Sequence, residues 1–351
     1  MSLLSAQTNR GRLWLCLFIL FTFSAALSLT VGSVRIPLFQ IIRILGGQQV
    51  AQNNWGLIVL EYRLPKLIVA ALAGAALSVA GLQMQTLFRN PLADPFILGI
   101  SSGANLGAAL VILAIAGNGV HFLSKISALG NFQLTVAASL GALMVFLIIM
   151  ILARRVHTMT LLITGVLIGY IVNAMVRILI QAAMPDAVQA YLSWTFGSFA
   201  GIAWSEMKYY APFLMIALLS SLLTIRSLNA LLLGDIYARS LGVNPQKVRW
   251  LLIINASIMT GIVTAYCGLI GFIGMAVPHL CRSLFSTSDH LTVLPASALL
   301  GAIIAILADL LTQVVGGSFM LPLNSVTAIL GGPVILWVLL KKKNLSRVFD
   351  R

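Results

Sequence analysis

Acid chemistry in this chain would have to come from eight scattered carboxylates: Glu61, Asp94, Asp186, Glu206, Asp235, Asp289, Asp309 and Asp350. An enzyme working at a bilayer needs paired acids, a Ser/His set or a metal cluster, and acids spaced in this way assemble none of these. Histidine adds little. His279 follows Pro278 without Glu or Cys companions, and His121, His157 and His290 fall in segments that read as loops. Cys16, Cys267 and Cys281 sit in or beside apolar runs, lack C-x-x-C spacing, and read as small packing residues. We therefore expect no catalytic residue, no metal site and no cofactor in the chain. A G-x-x-x-x-G-K-[ST] phosphate loop is also absent, so any uphill work must draw on a partner or an ion gradient.

Two other features carry chemical information. Asp309 and Arg177 lie inside apolar stretches, where an ionisable group costs several kcal/mol unless it is paired or reaches water. Structural pairing, water access and ion coupling all fit them. The second feature is Ser227 to Arg249, a 23-residue, partly apolar insertion. Leu231, Leu232, Leu233, Ile236, Leu241 and Val243 can form one face of a short helix, and Gly234 and Gly242 bracket it. Gly242 fits a helix C-terminal stop. The insertion reads either as a docking surface for a soluble partner or as a helix lying among lipid headgroups.

The elements that must position these residues are transmembrane helices. Hydrophobic residues make up 60% of the 351 and charged residues 9%. A soluble domain carries about 25% charged residues, so the fitting solvent for this exterior is a bilayer. The formal charge of +14 does not indicate nucleic acid, because the basic residues lie between apolar stretches rather than in a cluster. A crossing needs about 20 apolar residues. Candidate spans are 13–31, 67–87, 96–116, 132–153, 159–176, 209–225, 250–267, a short 269–281, 296–315 and 323–340. Leu13 to Val31 is too long for the apolar core of a signal peptide and reads as a retained span. The 32 residues from Trp250 to Cys281 hold no Asp, Glu, Lys or Arg and are too long for one crossing, so we divide them at Gly268–Gly274. The second piece is then short and ends at Pro278.

Ten spans place both termini on one side. With that side cytoplasmic, 15 Lys and Arg residues lie inside and 7 outside, which satisfies the positive-inside rule. The fold class is all-α: a single polytopic bundle over 1–351, both termini cytoplasmic. Gly99, Gly103 and Gly107, and then Gly165 and Gly169, have the four-residue spacing of close helix packing or of a pathway lining.

The insertion, with Gly234, Asp235, Ala238, Arg239, Leu241, Gly242 and Val243, resembles the ATPase-coupling loop of the FecCD-type permeases, which serve ABC importers of iron–siderophore, haem and cobalamin. Further motifs agree in order. Arg63-Leu64-Pro65-Lys66 is similar to the family's RLPR, and Gly81 to Pro95 to its span-to-loop element. Gly271 to Arg282, GFIGMAVPHLCR, resembles its GFIGLVVPHIxR block, and Leu321-Pro322 with Gly331-Gly332-Pro333 its last span. Together they cover the chain from Arg63 to Lys343.

The resemblance implies a permease of ten helices in the bacterial plasma membrane, paired with a second permease subunit, identical or paralogous. Two cytoplasmic ATPase subunits, which bind ATP and Mg, and an external or periplasmic binding protein complete it. It implies that the insertion (227–249) transmits ATPase closure, and that Asn90, Pro91, Leu92, Thr158 and Met159 lie near a cytoplasmic gate. Arg63 and Lys66 would face the binding protein. Gly165, Gly169, Asn173, Arg177 and Asp309 are the pathway or intramembrane polar candidates. Relatives carry adjacent small hydroxyl residues where this chain has His157-Thr158-Met159, and a basic residue where it has Gln313. The expected cargo is a ferric siderophore, with haem or cobalamin as alternatives. An ion-coupled secondary transporter using Asp309 is the competing class.

Overall fold

A computed structural model describes residues 2–48, 53–115, 132–153, 155–156, 158–315 and 321–342. Among these residues all regular structure is helical. His121, Lys125, Arg154, His157, Lys343, Arg347, Asp350 and Arg351 lie outside them.

The ten expected spans all appear as helices. They are α1 (Ser2–Thr30), α3 (Leu64–Phe88), α4 (Ile100–Ala109), α5 (Phe132–Ala153), α6 (Thr158–Ala182), α8 (Trp204–Leu223), α11 (Pro245–Cys267), α12 (Ile273–Phe285), α13 (His290–Val315) and α14 (Leu323–Lys342). Short helices join them: α2 (Leu38–Leu45), α7 (Pro185–Thr195), α9 (Ile225–Leu232) and α10 (Asp235–Ser240). Six of the long helices are long and apolar enough to cross a bilayer alone, and α8 with α9 makes a seventh, bent by 51°.

The bundle is built around α3. Its side chains are buried from Ala73 to Phe88, because small residues admit neighbouring backbones on every side. A Cβ on Gly74 would strike the Gly301 carbonyl of α13, and one on Gly301 would strike the Gly74 carbonyl. In lipid there is no hydrophobic drive between helices, so such close approach supplies the van der Waals contact that holds them. Polar side chains add to it. Ser221 Oγ of α8 accepts from Gln83 Nε2 of α3 (3.2 Å) and from Asn255 Nδ2 of α11 (2.9 Å), joining three helices at one buried point.

The structure corrects the short span. It runs from Ile273 to Phe285, straight through Pro278, rather than ending there. Pro278 has no N–H for the Gly274 carbonyl. That carbonyl packs instead against Gly81 of α3, where the missing side chain leaves room. Thirteen residues reach only about 20 Å, less than the hydrocarbon thickness of about 30 Å. α12 therefore starts inside the bundle, after the irregular stretch 268–272. Non-helical backbone at that depth must be satisfied by protein. Asn324 does this at Gly271, its Oδ1 accepting from Gly271 N (3.1 Å).

α4 has a matching origin. The chain leaves α3 at Arg89 and returns through the turn Pro95–Leu98, where Pro95 touches Gly274 before α4 begins. A π-helical stretch, Leu110–Ile115, extends it. His290 also departs from expectation, as it opens α13 and is buried rather than sitting in a loop.

Candidate functional site

The insertion folds as α9, α10 and the first turn of α11. Gly234 enters α10 at φ 109° and Gly242 leaves it at φ 77°, both in the region that favours glycine. The exit is a Schellman motif: Val243 N–H bonds Ala238 O (2.9 Å) and Gly242 N–H bonds Arg239 O (3.0 Å), with Ala238 buried beneath. Asn244 then caps α11 by accepting from Gln246 N (3.0 Å) and Lys247 N (3.2 Å). Ala238 is thus the inward anchor, and Ile236 (85% exposed), Tyr237 (65%) and Leu241 (64%) stand outward. An apolar face this bare, on a rigid turn-bounded helix, is a surface made for contact.

Asp235 ties this surface to the bundle. Its Oδ1 accepts from Arg89 at the end of α3 (2.9 Å), and its Oδ2 from Arg249 on α11 (2.5 Å). Arg89 itself holds a left-handed backbone, φ 47°, which turns the chain out of α3. Exposed ion pairs add at most about 1 kcal/mol to stability. Their effect here is directional, since one carboxylate joins α10 to two spans.

Beside it runs the segment 89–99. Asn90 Oδ1 accepts from Leu92 N (3.0 Å), folding Asn90, Pro91 and Leu92 into a tight turn. His279 Nε2 meets Pro91 O at 2.6 Å, so its proton lies on that nitrogen and the segment is tied to α12. Gln85 of α3 reaches the same helix, donating to Met275 O (3.0 Å) and accepting from Arg282 (2.7 Å). Thr158 and Met159 open α6, and their side chains lie outside the described set.

At the far end the charged residues turn inward. Arg63 donates to Leu29 O (2.6 Å) and to Val34 O, closing the end of α1. Lys66 Nζ lies 2.8 Å from Asp309 Oδ1, and Gln313 Nε2 donates to Asp309 Oδ2 (2.9 Å). Asp309 is 5% exposed. Two residues expected in different roles, one at a docking mouth and one as an intramembrane acid open to pairing, are thus one ion pair between α3 and α13.

α6, like α1 and α5, turns most of its surface outward. Tyr170, Asn173 and Arg177 share an exposed face of it, and no ion pair to Arg177 occurs among the described residues. Gly165 is buried, its carbonyl facing Gly99, and Gly169 faces Ser102. These two glycines serve packing, whereas Asn173 and Arg177 point away from their own subunit.

Sequence reasoning did not single out Arg89 and Arg249. The signal was present: Asp235 is the one acid of the insertion, Arg89 follows one span and Arg249 precedes another. Gln85 gave no such signal, because a lone amide in an apolar run has no spacing to read.

A sequence model of the FecCD transport family matches residues 19–341. An uncharacterised ABC transporter permease protein, YvrB of Bacillus subtilis, is 33% identical over 97% of this chain and 97% of its own length. The vitamin B12 import system permease protein BtuC of Salmonella paratyphi A is 37% identical over 88% of this chain and 93% of its own. Its Escherichia coli counterpart is 35% identical over 96% and 97%. A solved structure, described as a metal-chelate type ABC transporter in an inward-facing conformation, superposes with a TM-score of 0.82 at 23% identity. The match covers 94% of this chain and 99% of that one, and shows the shared fold.

Proposed function

Because the chain belongs to the FecCD transport family and is an ABC importer permease, we propose that it forms the membrane pathway through which a bulky metal chelate enters the cell, driven by a separate ATPase. The observation that carries this reading is the bare apolar face of Ile236, Tyr237 and Leu241 on a helix pinned to two spans through Asp235. Such a surface needs a partner, and a cleft on a cytoplasmic ATPase suits it.

On this reading the α10 end is cytoplasmic, with both chain termini, and the membrane is the bacterial plasma membrane. Two ATPase subunits bind ATP and Mg, and their closure pushes on Gly234 to Val243. Asn90, Pro91 and Leu92, held by His279, together with Thr158 and Met159, sit beside the inner gate. A second permease subunit covers α6, and Asn173 and Arg177 face the water-filled pathway between the two. An external binding protein docks at the far end. Arg63 and Lys66 already have partners within the subunit, so they shape that docking surface more than they supply free charge to it.

A ferric siderophore is the first cargo to test. Cobalamin is the second, favoured by the vitamin B12 permeases among the relatives. The deciding experiment is co-purification with the ATPase and binding protein from neighbouring reading frames, followed by uptake of radiolabelled ferric siderophore or cyanocobalamin into ATP-loaded proteoliposomes. Uptake by the chain alone, driven by an ion gradient and abolished by Asp309→Asn, would overturn the proposal in favour of a secondary transporter.

A further inference from the structure

α3 and α13 are fastened along their whole length, in one antiparallel register. At the α10 end His290 Nε2 meets Thr86 Oγ1 at 2.9 Å. Deeper in, Ser78 Oγ donates to Ser297 O at 2.6 Å. Next come Gly74 and Gly301, each against the other's carbonyl. At the far end stands the Lys66–Asp309 pair. Thr86, His290, Ser78 and Ser297 are all buried. Close-packed helices joined at four levels resist sliding, so a push on one end of the pair reaches the other.

Besides the surface pair of Arg89 and Asp235, which reaches the end of α3, the push has a polar entry point into α13. Asn229 lies on α9, the first helix of the coupling insertion, and its amide makes three bonds to the start of α13. Oδ1 accepts from His290 N (2.9 Å) and from His290 Nδ1 (2.8 Å), while Nδ2 donates to Asp289 Oδ1 (2.6 Å). An amide oxygen cannot donate, so His290 Nδ1 carries a proton. In the neutral ring Nε2 then accepts from Thr86, whose hydroxyl hydrogen it shares with Leu82 O (3.0 Å). One continuous chain of hydrogen bonds thus runs from α9 through α13 to α3.

We infer that α3 and α13 move as a single strut, and that Asn229, with His290 and Thr86, is the set of positioning residues through which the coupling insertion drives it. The inference rests on the reading of the chain as an ATPase-driven permease. The Arg89–Asp235–Arg249 cluster orients α10 at the surface; the buried chain carries its displacement to the far end.

The test needs no cargo. The chain is reconstituted with its ATPase, and hydrogen–deuterium exchange is followed in the far-end loops 31–37 and 197–203, with and without Mg-ATP and vanadate. In the wild type, trapping should alter exchange in both loops. Asn229→Leu and Thr86→Val should weaken that response by about two- to thirtyfold, the span that coupling energies along such networks allow. ATPase binding and ATP hydrolysis should persist, and Thr86→Ser should restore the response. A full response in Asn229→Leu and Thr86→Val overturns the inference, as does a loss that follows thermal stability alone and is not rescued by Thr86→Ser. A wild-type chain that fails to bind the ATPase overturns the parent reading instead, and the strut with it.

Discussion

α3 and α6 have the same length, 25 residues each, and both are apolar, yet they sit in opposite surroundings. In the most apolar stretch of the helix containing α3, 72% of residues are buried; in that of α6, 17% are. α3 meets neighbours on all sides through Gly74, Ala76 and Gly81. α6 packs one edge, at Leu161, Gly165, Val172 and Val176, and leaves bulky side chains and Arg177 outward. A membrane span can therefore be an internal axis or an unfinished wall at nearly equal hydropathy. Only the second kind has a face left for lipid or for another chain.

Substitutions can break this contrast. The largest effect is expected from Gly81→Leu on α3. A side chain there meets the Gly274 backbone with no space to relax, and overpacking of this kind costs about 3 kcal/mol or more. Thermal unfolding in detergent should show a collapsed transition. Next is Asp309→Ala, which leaves Lys66 without its partner and should cost about 3 kcal/mol. The double variant Lys66→Met/Asp309→Leu should recover most of that loss. If it also transports, the pair is structural rather than ion-coupling.

On α6 the expectation inverts. Arg177→Leu and Asn173→Leu should shift stability by no more than about 0.5 kcal/mol, since neither side chain packs within its subunit. Reconstituted uptake should nevertheless fall. An unfolded Arg177→Leu protein would erase the distinction between the two helices. Gly242→Ala is intermediate for a different reason. There is open space around its Cβ, so the cost is the left-handed backbone alone, about 1 kcal/mol. The readout is ATP hydrolysis continuing while transport drops.

The smallest effect concerns acid. The N–H of Leu291 and the amide of Asn229 hold the Asp289 carboxyl below its ordinary value of 3.8. A lowered folded-state value means that the stabilisation is complete above about pH 4 and fades as pH falls through the lower folded value. Melting curves between pH 5 and pH 3 should show a loss that Asp289→Asn lacks.

Much of this was legible in the residues. Gly234 and Gly242 announced the ends of α10, because only glycine accepts those backbone angles cheaply. The break near Gly268 was legible from length and glycine placement, together with the family resemblance. Other features were hidden. Pro278 reads as a terminator, and only Gly81, opposite the freed Gly274 carbonyl, leaves room for the helix to continue. His290 reads as a loop residue, since nothing local reveals Asn229 and Thr86 on two other helices.

The sequence by itself determined that this is a helical membrane protein with a partly apolar 23-residue insertion. Hydropathy, glycine angles and chain length are local properties, each set within a span of residues. The tertiary structure alone decided which helix became the axis, that Lys66 and Asp309 are partners, and that α3 and α13 form one strut. In lipid the inner and outer faces of a helix can be equally apolar, so hydropathy carries little record of which face meets which neighbour. That choice is made by backbone approach and a few polar contacts, between residues more than two hundred positions apart in the chain.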